Sequence, residues 1–444
     1  MLKQIKIISI LIICLSTLSQ AQDTQYWSKQ YGTYGGLLGN TVIGAISDLS
    51  STYYNPGAMA FSKDSSLVLT TSSFQFIYLN FNNILNSNLK LDYWYTNASQ
   101  GIFALRLPYH WLGDDQIVIS YLARQDFNFN STGRSITPYY NDHYKSDQLS
   151  IDQNLNEYWY GLTWSKPINS KLGFGSTMYL AYRSQKLMKQ TITQSYDVAE
   201  ETKNFTSMID LNYYNYRLLW KFGISYQMGK LMLGLSLTTP SINISGSGNA
   251  SMLISRANAD SLQNKTPEFI SNSQENLTAY YKSPISIGFG GAYYWRNTVL
   301  YFSAEWFNRV KDFLVMEPSS FIGQSSERTI NYNVNYSLKS VFNFGIGIKY
   351  IFSDNFIYYG GISTDESAYN PESFNPFVLS TWDIVHIRSG AEFKFHDLSI
   401  TLGFSYGYSG ELFGNFNLFG IFKNSKTDVI YNQMDVILGL TYSM

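Results

Sequence analysis

The chain has 444 residues, of which 17% are aromatic and only 14% charged, with a formal net charge of -1. Soluble domains carry roughly one quarter charged residues, so an ordinary soluble enzyme is a poor match, and the near-neutral balance leaves no basic footprint for nucleic acid. The single cysteine, Cys14, falls inside an apolar N-terminal stretch, which excludes disulfides and thiol chemistry from the exported chain.

Residues 1–21 have the form of a signal peptide: Lys3 and Lys6, an apolar run from Ile7 to Leu18, and the small-x-small site Ser19-Gln20-Ala21. The mature chain is expected to begin at Gln22. No later apolar run approaches the 18 or so residues of a membrane helix. An exported, aromatic-rich chain of low charge then leaves two classes, an outer-membrane β-barrel or a secreted β-rich surface protein.

Residues 22–64 show no strand alternation. Gly35, Gly36, Gly39, Gly44 and the triplet Asn55-Pro56-Gly57 permit tight reversals, and Ala45, Ala58 and Ala60 permit close packing. From residue 66 onward the period is two. About fourteen strands are expected, an even number as single-chain barrels have: 66–80, 99–108, 116–128, 154–165, 171–187, 206–227, 231–244, 284–295, 299–315, 338–352, 356–365, 382–395, 398–409 and 430–443. Phe342, Phe344, Ile346, Ile348, Tyr350 and Phe352 share one face, against Asn343, Gly345, Gly347 and Lys349. A sandwich would need a charged far face, whereas Gly, Ser, Thr and Asn suit a crowded lumen. Connections alternate between short turns, such as 228–230, 296–298 and 396–397, and long loops, the longest 243–283. That is the pattern of a transmembrane antiparallel β-barrel, with both chain ends on the periplasmic side. The expected organisation is therefore signal peptide 1–21, N-terminal hatch 22–64 plugging the lumen, and barrel 65–444.

A lumen of this width cannot be filled by wall side chains alone, and 22–64 is the available plug. Met252, Leu253, Ile254 and Phe269 make an apolar landing site in the longest loop, or simply pack it onto its neighbours. Arg388, Glu392 and Lys394 fall on the inner face of one strand, and Arg217, Lys221 and Lys349 point inward elsewhere. Arg388 and Lys394 are candidates to hold a ligand carboxylate; the alternative is that such cations pair with carboxylates and pin the plug, Asp48 among them. His110, His143, His386 and His396 have no metal-ligand spacing, and no phosphate loop or HExxH motif occurs, so neither an enzyme, a metal nor a cofactor is expected. The ending Gly439-Leu440-Thr441-Tyr442-Ser443-Met444 is similar to the signal read by the barrel-assembly machinery, with Met in place of the usual Phe.

Gly39-Asn40, Gly44-Ala45, Asp48 and the run Ser51-Thr52-Tyr53-Tyr54-Asn55-Pro56-Gly57-Ala58-Met59-Ala60 resemble the hatch signature of the FadL/TodX family of outer-membrane hydrophobic-compound transporters. Thr41, where Ala is usual, and the pair Gly57-Ala58, where Ala-Ala or Ala-Gly is usual, depart from it but keep the residues small. The resemblance implies a monomer in the outer membrane that imports long-chain fatty acids or other hydrophobic small molecules passively. It also implies that Gly39, Asn40, Gly44, Asp48, Asn55, Pro56, Gly57 and Ala58 form the moving hatch. A barrel of the same type serves protein secretion as the type IX shuttle; that, or a surface binding protein on the same fold, is the alternative role.

Overall fold

The computed structural model describes residues 24–45, 48–61, 65–84, 88–107, 113–140, 143–196, 202–257, 267–373, 376–414 and 427–443. The expected signal peptide, the expected chain start at Gln22, His110 and Met444 lie outside them. Among the described residues twenty strands follow the hatch: β1 (Ser65–Ile84), β2 (Leu89–Arg106), β3 (Gln116–Tyr140), β4 (His143–Pro167), β5 (Leu172–Tyr196), β6 (Thr202–Met228), β7 (Leu231–Thr238), β8 (Ile242–Ala257), β9 (Glu268–Thr278), β10 (Ser286–Trp295), β11 (Thr298–Phe307), β12 (Val310–Met316), β13 (Phe321–Ile322), β14 (Thr329–Ile330), β15 (Val334–Leu338), β16 (Val341–Ser353), β17 (Phe356–Asp365), β18 (Ile384–Phe395), β19 (Leu398–Gly414) and β20 (Thr427–Ser443). Fourteen of them, β1–β7, β10, β11 and β16–β20, form one closed antiparallel wall in which β1 pairs with β20.

The alternation of the sequence becomes the two faces of this wall. Phe344 and Ile346 are 54% and 62% exposed on the outside, whereas Asn343 is fully buried within. Leu402, Phe404 and Tyr408 likewise face out, against buried Thr401 and Ser405. Aromatic side chains flank the apolar outer band, with Trp295, Tyr350 and Phe352 toward the short turns and Trp306, Tyr160 and Tyr216 toward the long loops, the arrangement of a wall that faces lipid. The short connections close as expected, several through two residues, with the first residue left-handed at Gly229 (φ 61), Arg296 (φ 53) and His396 (φ 52).

The wall is taller on one side. A membrane crossing takes about 9–11 residues, yet β3, β4 and β5 have 25 each and β6 has 27, whereas β10 and β11 have 10 each. The expected spans 116–128, 154–165 and 171–187 stop where the outer face turns polar, as at Asn154, Asp152 and Ser150 of β4, whereas 206–227 already covers most of β6. The inner face continues to alternate through Leu155, Ile151 and Leu149, all buried. Those upper halves therefore persist as strands because they cover an apolar core. Loops from the short side fill it, with Val315, Met316, Tyr336, Phe377, Leu379 and Trp382 in the same cluster as Phe81, Phe129 and Leu187.

Two expected elements differ. The loop 243–283 is mostly a hairpin: β8 pairs with the upper half of β6, from Arg217↔Asn243 to Asn204↔Ala257, and β9 pairs with β8. Pro240, which cannot donate to a ladder, separates β7 from this extension. The strand expected over 299–315 ends at Phe307, and its remainder, β12, leaves the barrel to pair with β15.

Candidate functional site

The segment 24–61 lies inside the barrel. It contains the helix Gly32–Leu38, the helical turn Ser51–Tyr54 and the 3-10 turn Pro56–Phe61. Gly39 ends the first helix in the left-handed conformation (φ 68), which glycine adopts without strain, and its amide donates to Gly35. Asn40, also left-handed (φ 64), donates from Nδ2 to the Trp27 carbonyl at 3.0 Å and accepts the Tyr54 hydroxyl at 2.7 Å. Asp48 is fully buried and accepts from the Ser50 amide at 2.9 Å and the Ser50 hydroxyl, and at 3.5 Å from the Tyr34 amide. These bonds lie inside the hatch.

Docking of the hatch uses glycine on both partners. A Cβ on Gly44 would lie 2.4 Å from the Gly291 Cα, and one on Gly57 would lie 2.5 Å from the Gly223 carbonyl oxygen. From the wall side, a Cβ at Gly175 would come within 2.3 Å of the Pro56 oxygen and one at Gly234 within 2.0 Å of the Ile43 oxygen. Across the lumen, Gly361 abuts the Leu38 main chain and Gly347 the Thr41 hydroxyl. Gly57 is thus needed for close approach, where the sequence suggested a turn. Asn55 bridges the contact: its Nδ2 donates to Ile43 (2.8 Å) and to Ile224 of β6 (2.9 Å), while its Oδ1 accepts from Gly57. Pro56 and Ala58 are buried beside it.

The strap before the helix climbs toward the long loops. Asp365, at the end of β17, accepts from the Tyr26 amide (3.1 Å), the Trp27 amide (2.9 Å), the Ser28 hydroxyl (2.5 Å) and Asn343 Nδ2 (3.2 Å). Thr24 Oγ1 donates to the Ser380 carbonyl at 2.5 Å, and Gln25 Nε2 donates to that of Trp382 at 2.7 Å. Thr24 therefore sits at the long-loop end of the wall. The other end of the wall holds Tyr442 of β20, paired with Leu398 beside a short turn. Lys29 Nζ has no hydrogen bond among the described residues. Burial lowers its pKa to about 8, with the Asp126 and Asp435 carboxylates acting in the opposite direction. Replacing Asp365 with alanine is expected to free the strap, because charge-assisted hydrogen bonds contribute about 1.5–3 kcal/mol each. Proteolysis from the 24–30 segment onward, absent in the wild type, is the readout.

Above the hatch a cavity of about 50 Å³ is lined by Tyr53, Arg124, Glu157, Trp159, Leu219, Lys221, Tyr281, Glu305 and Phe307 among others. Glu157 lies 2.8 Å from Arg183 Nη1 and 2.6 Å from Arg217 Nη2, all three buried, and Lys221 lies 3.8 Å from Glu305. The cluster thus holds Arg124, Arg183, Arg217 and Lys221 against two carboxylates. Arg124 has no ion pair among the described residues: Nη2 donates to the Tyr26 carbonyl (3.0 Å), Nη1 has no hydrogen bond, and the guanidinium stands 5.6 Å from both the Tyr53 and Trp159 rings. Sequence alternation missed Arg124, because a register shift between Ala123 and Gln125 turns consecutive residues inward.

That shift borders a seam in the wall. β2 pairs with β3 only from Arg106↔Val118 to Ile102↔Leu122. Above it the described contacts between the two strands are of another kind, the Tyr93 hydroxyl donating to Asn128 and the Ser131 hydroxyl to Asp92.

The remaining candidates do not converge here. Met252 and Ile254 lie on the same face of β8 as buried Ala250, whereas Leu253 and Phe269 lie on the other face of the β8–β9 hairpin, where Phe269 is half exposed. Arg388 is buried beside the hatch, donating to Ser363 at 2.9 Å; a Cβ on Gly39 would lie 3.2 Å from its Nη1. Lys394 is half-buried two residues before the turn 396–397, far along β18 from the cavity.

A closed wall of fourteen antiparallel strands around an N-terminal hatch defines the fold of the outer-membrane channels for hydrophobic compounds. The solved structures agree. The toluene transporter TodX of Pseudomonas putida matches with a TM-score of 0.60 at 12% identity, over 96% of this chain and 100% of that one. A FadL homologue of Pseudomonas aeruginosa matches with a TM-score of 0.56 at 12% identity, over 96% and 99%, and the toluene transporter TbuX of Ralstonia pickettii with 0.57 at 10%, over 94% and 99%. The chain therefore has the FadL-type fold that its hatch signature suggested. No family model and no curated protein matches the sequence.

Proposed function

We propose that the protein is a passive outer-membrane transporter whose ligands are apolar chains bearing a carboxylate, such as long-chain fatty acids, with the short turns on the periplasmic side. The observation that carries this reading is the cavity above the hatch, where Arg124 offers an unbonded guanidinium nitrogen beside Trp159, Leu219 and Phe307. A buried cation of this kind is stabilised by an anion that accepts its free hydrogen bond. One water needs about 10–15 Å³ of such space, so about 50 Å³ admits a headgroup and not a tail. Passage then requires the hatch or the loops above it to move, and the seam between β2 and β3 is the place where the wall has fewest ladder bonds to break.

Binding of palmitate and of toluene to the purified barrel tests the reading. Palmitate affinity is expected to fall at least tenfold in Arg124→Met, while toluene binding is unchanged. Toluene binding without palmitate binding would leave a channel for neutral compounds. Recovery of exported proteins from an otherwise empty barrel would favour the secretion role.

A further inference from the structure

The outer face of the wall carries a groove of about 610 Å³, lined by Tyr293, Leu300, Phe302, Ile346, Ile348, Ile362 and Ile387, with Gly347, Gly360 and Gly361 in its floor. The large side chains rimming it are mostly exposed, Ile346 and Ile387 most of all. The ladder beneath is intact, with Ile348↔Gly360 and Gly360↔Ser389 paired in register. It is therefore a depression in a continuous wall and not an opening into the lumen. Its cause is local: Gly360 points outward and pairs with Ile348 on one side and Ser389 on the other, so one row of the lipid-facing band lacks bulk. Its volume falls within the range of small-molecule sites, about 300–1,000 Å³.

We infer that this groove is a seat for one acyl chain of a membrane phospholipid. The groove is continuous with the apolar band that faces lipid, and the outward side chains that line it are apolar or aromatic, with the one neighbouring hydroxyl, that of Ser389, hydrogen-bonded to Tyr358, so its occupant is a hydrocarbon chain. Tyr293 and Leu300 lie close to the short turn 296–297, whereas Ile362 and Ile387 lie close to the long-loop ends of β17 and β18, so the groove runs across much of the height of the band. With the short turns periplasmic, as proposed above, the end of the groove at Tyr293 and Leu300 opens to the phospholipid leaflet. A bound chain would lie one backbone layer from the hatch, since Gly347 and Gly361 contribute to the groove floor and also meet Thr41 and Leu38 inside.

Gly360 gives a clean test. The atoms nearest to a Cβ there would be Ile348 Cγ2 at 3.6 Å, the Tyr358 hydroxyl at 3.7 Å and the Arg388 oxygen at 3.8 Å, all ordinary contacts. Gly360→Leu is thus expected to fill the groove while the barrel still folds, which heat-modifiable migration on a gel checks. The barrel is reconstituted in phospholipid nanodiscs containing phosphatidylethanolamine with a diazirine in one acyl chain, and the photolabelled peptides are mapped. Labelling at 346–348 and 358–362 several-fold above the rest of the band, lost in Gly360→Leu and retained in Met178→Leu on the far wall, is the expected result. Uniform labelling unaffected by Gly360→Leu would overturn the inference. So would displacement of the label by palmitate, which would assign the groove to the transported ligand, or crosslinks between two barrels, which would assign it to a second copy. Transport need not work for this readout, so its failure is separable from failure of the proposed function.

Discussion

Gly44→Val is expected to unseat the hatch. The added side chain would meet the main chain of Gly290 and Gly291, with the nearest atom 2.4 Å from the new Cβ. Backbone in a closed ladder cannot step aside as a flexible side chain can. Overpacking costs about 1–3 kcal/mol even where side chains rearrange, and here the relief available is withdrawal of the hatch itself. The variant barrel is expected to assemble, to admit small polar solutes in a liposome-swelling assay, and to lose 24–61 to protease. Gly360→Val, which adds the same bulk on the outer face without a clash, is the control and should remain closed. A sealed Gly44→Val barrel would show that the hatch is held elsewhere and that its glycine contacts are incidental.

Glu157→Ala is expected to be the most destabilising single change in the lumen. Its carboxylate is the shared partner of Arg183 and Arg217, both fully buried. Removing one member of a buried ionic group leaves the others uncompensated and costs about 3–5 kcal/mol. The two guanidiniums also stand 4.0 and 4.6 Å from the Tyr281 ring, so they are fixed in place and cannot swing to water. The temperature at which the folded band disappears on a gel should drop markedly. Replacing all three residues together with Leu and Met should recover most of that loss, because a well-packed apolar core can equal a buried ionic one. A triple variant as unstable as Glu157→Ala would assign the effect to packing and not to charge.

The wall was legible because its cause is repeated at every second residue. Phe342 to Phe352 read as a lipid-facing row, and so it is, since nothing in the tertiary structure competes with that pattern. The heights of β3 to β5 were not legible, whereas the span 206–227 anticipated most of β6. The upper outer faces of β3 to β5 are largely polar, as at Asn128, Asn130, Ser150, Asp152, Gln190 and Gln194, which reads as loop, and only the loops that fold over Leu149 and Leu155 explain why strand persists there. The hatch was legible as a small-residue segment without a place in the wall, but the reason for its glycines was half right. Gly39 is a left-handed cap, whereas Gly44 and Gly57 are required by the wall they touch. The cavity was the least legible part. Leu219 interrupts the polar inner row of β6, a visible signal that it lines something apolar. Arg124, in contrast, turns inward through a register shift that no residue in its neighbourhood announces. Met252 to Ile254 looked like one cluster because they are adjacent in sequence, and the pleat of β8 separates them onto two faces.

The glycine contacts on both sides of the hatch also constrain the order of assembly. Gly44 and Gly57 are seated against β10 and β6, while Leu38 is seated against β17, and Thr24 bonds to Ser380, 356 residues away. No finished cylinder could admit a segment held so tightly from opposite directions. The hatch segment must wait in place while the last strands form, and the β1–β20 seam must close around it. The hatch is thereby less a stopper inserted into a completed channel than a mandrel about which the channel is wound.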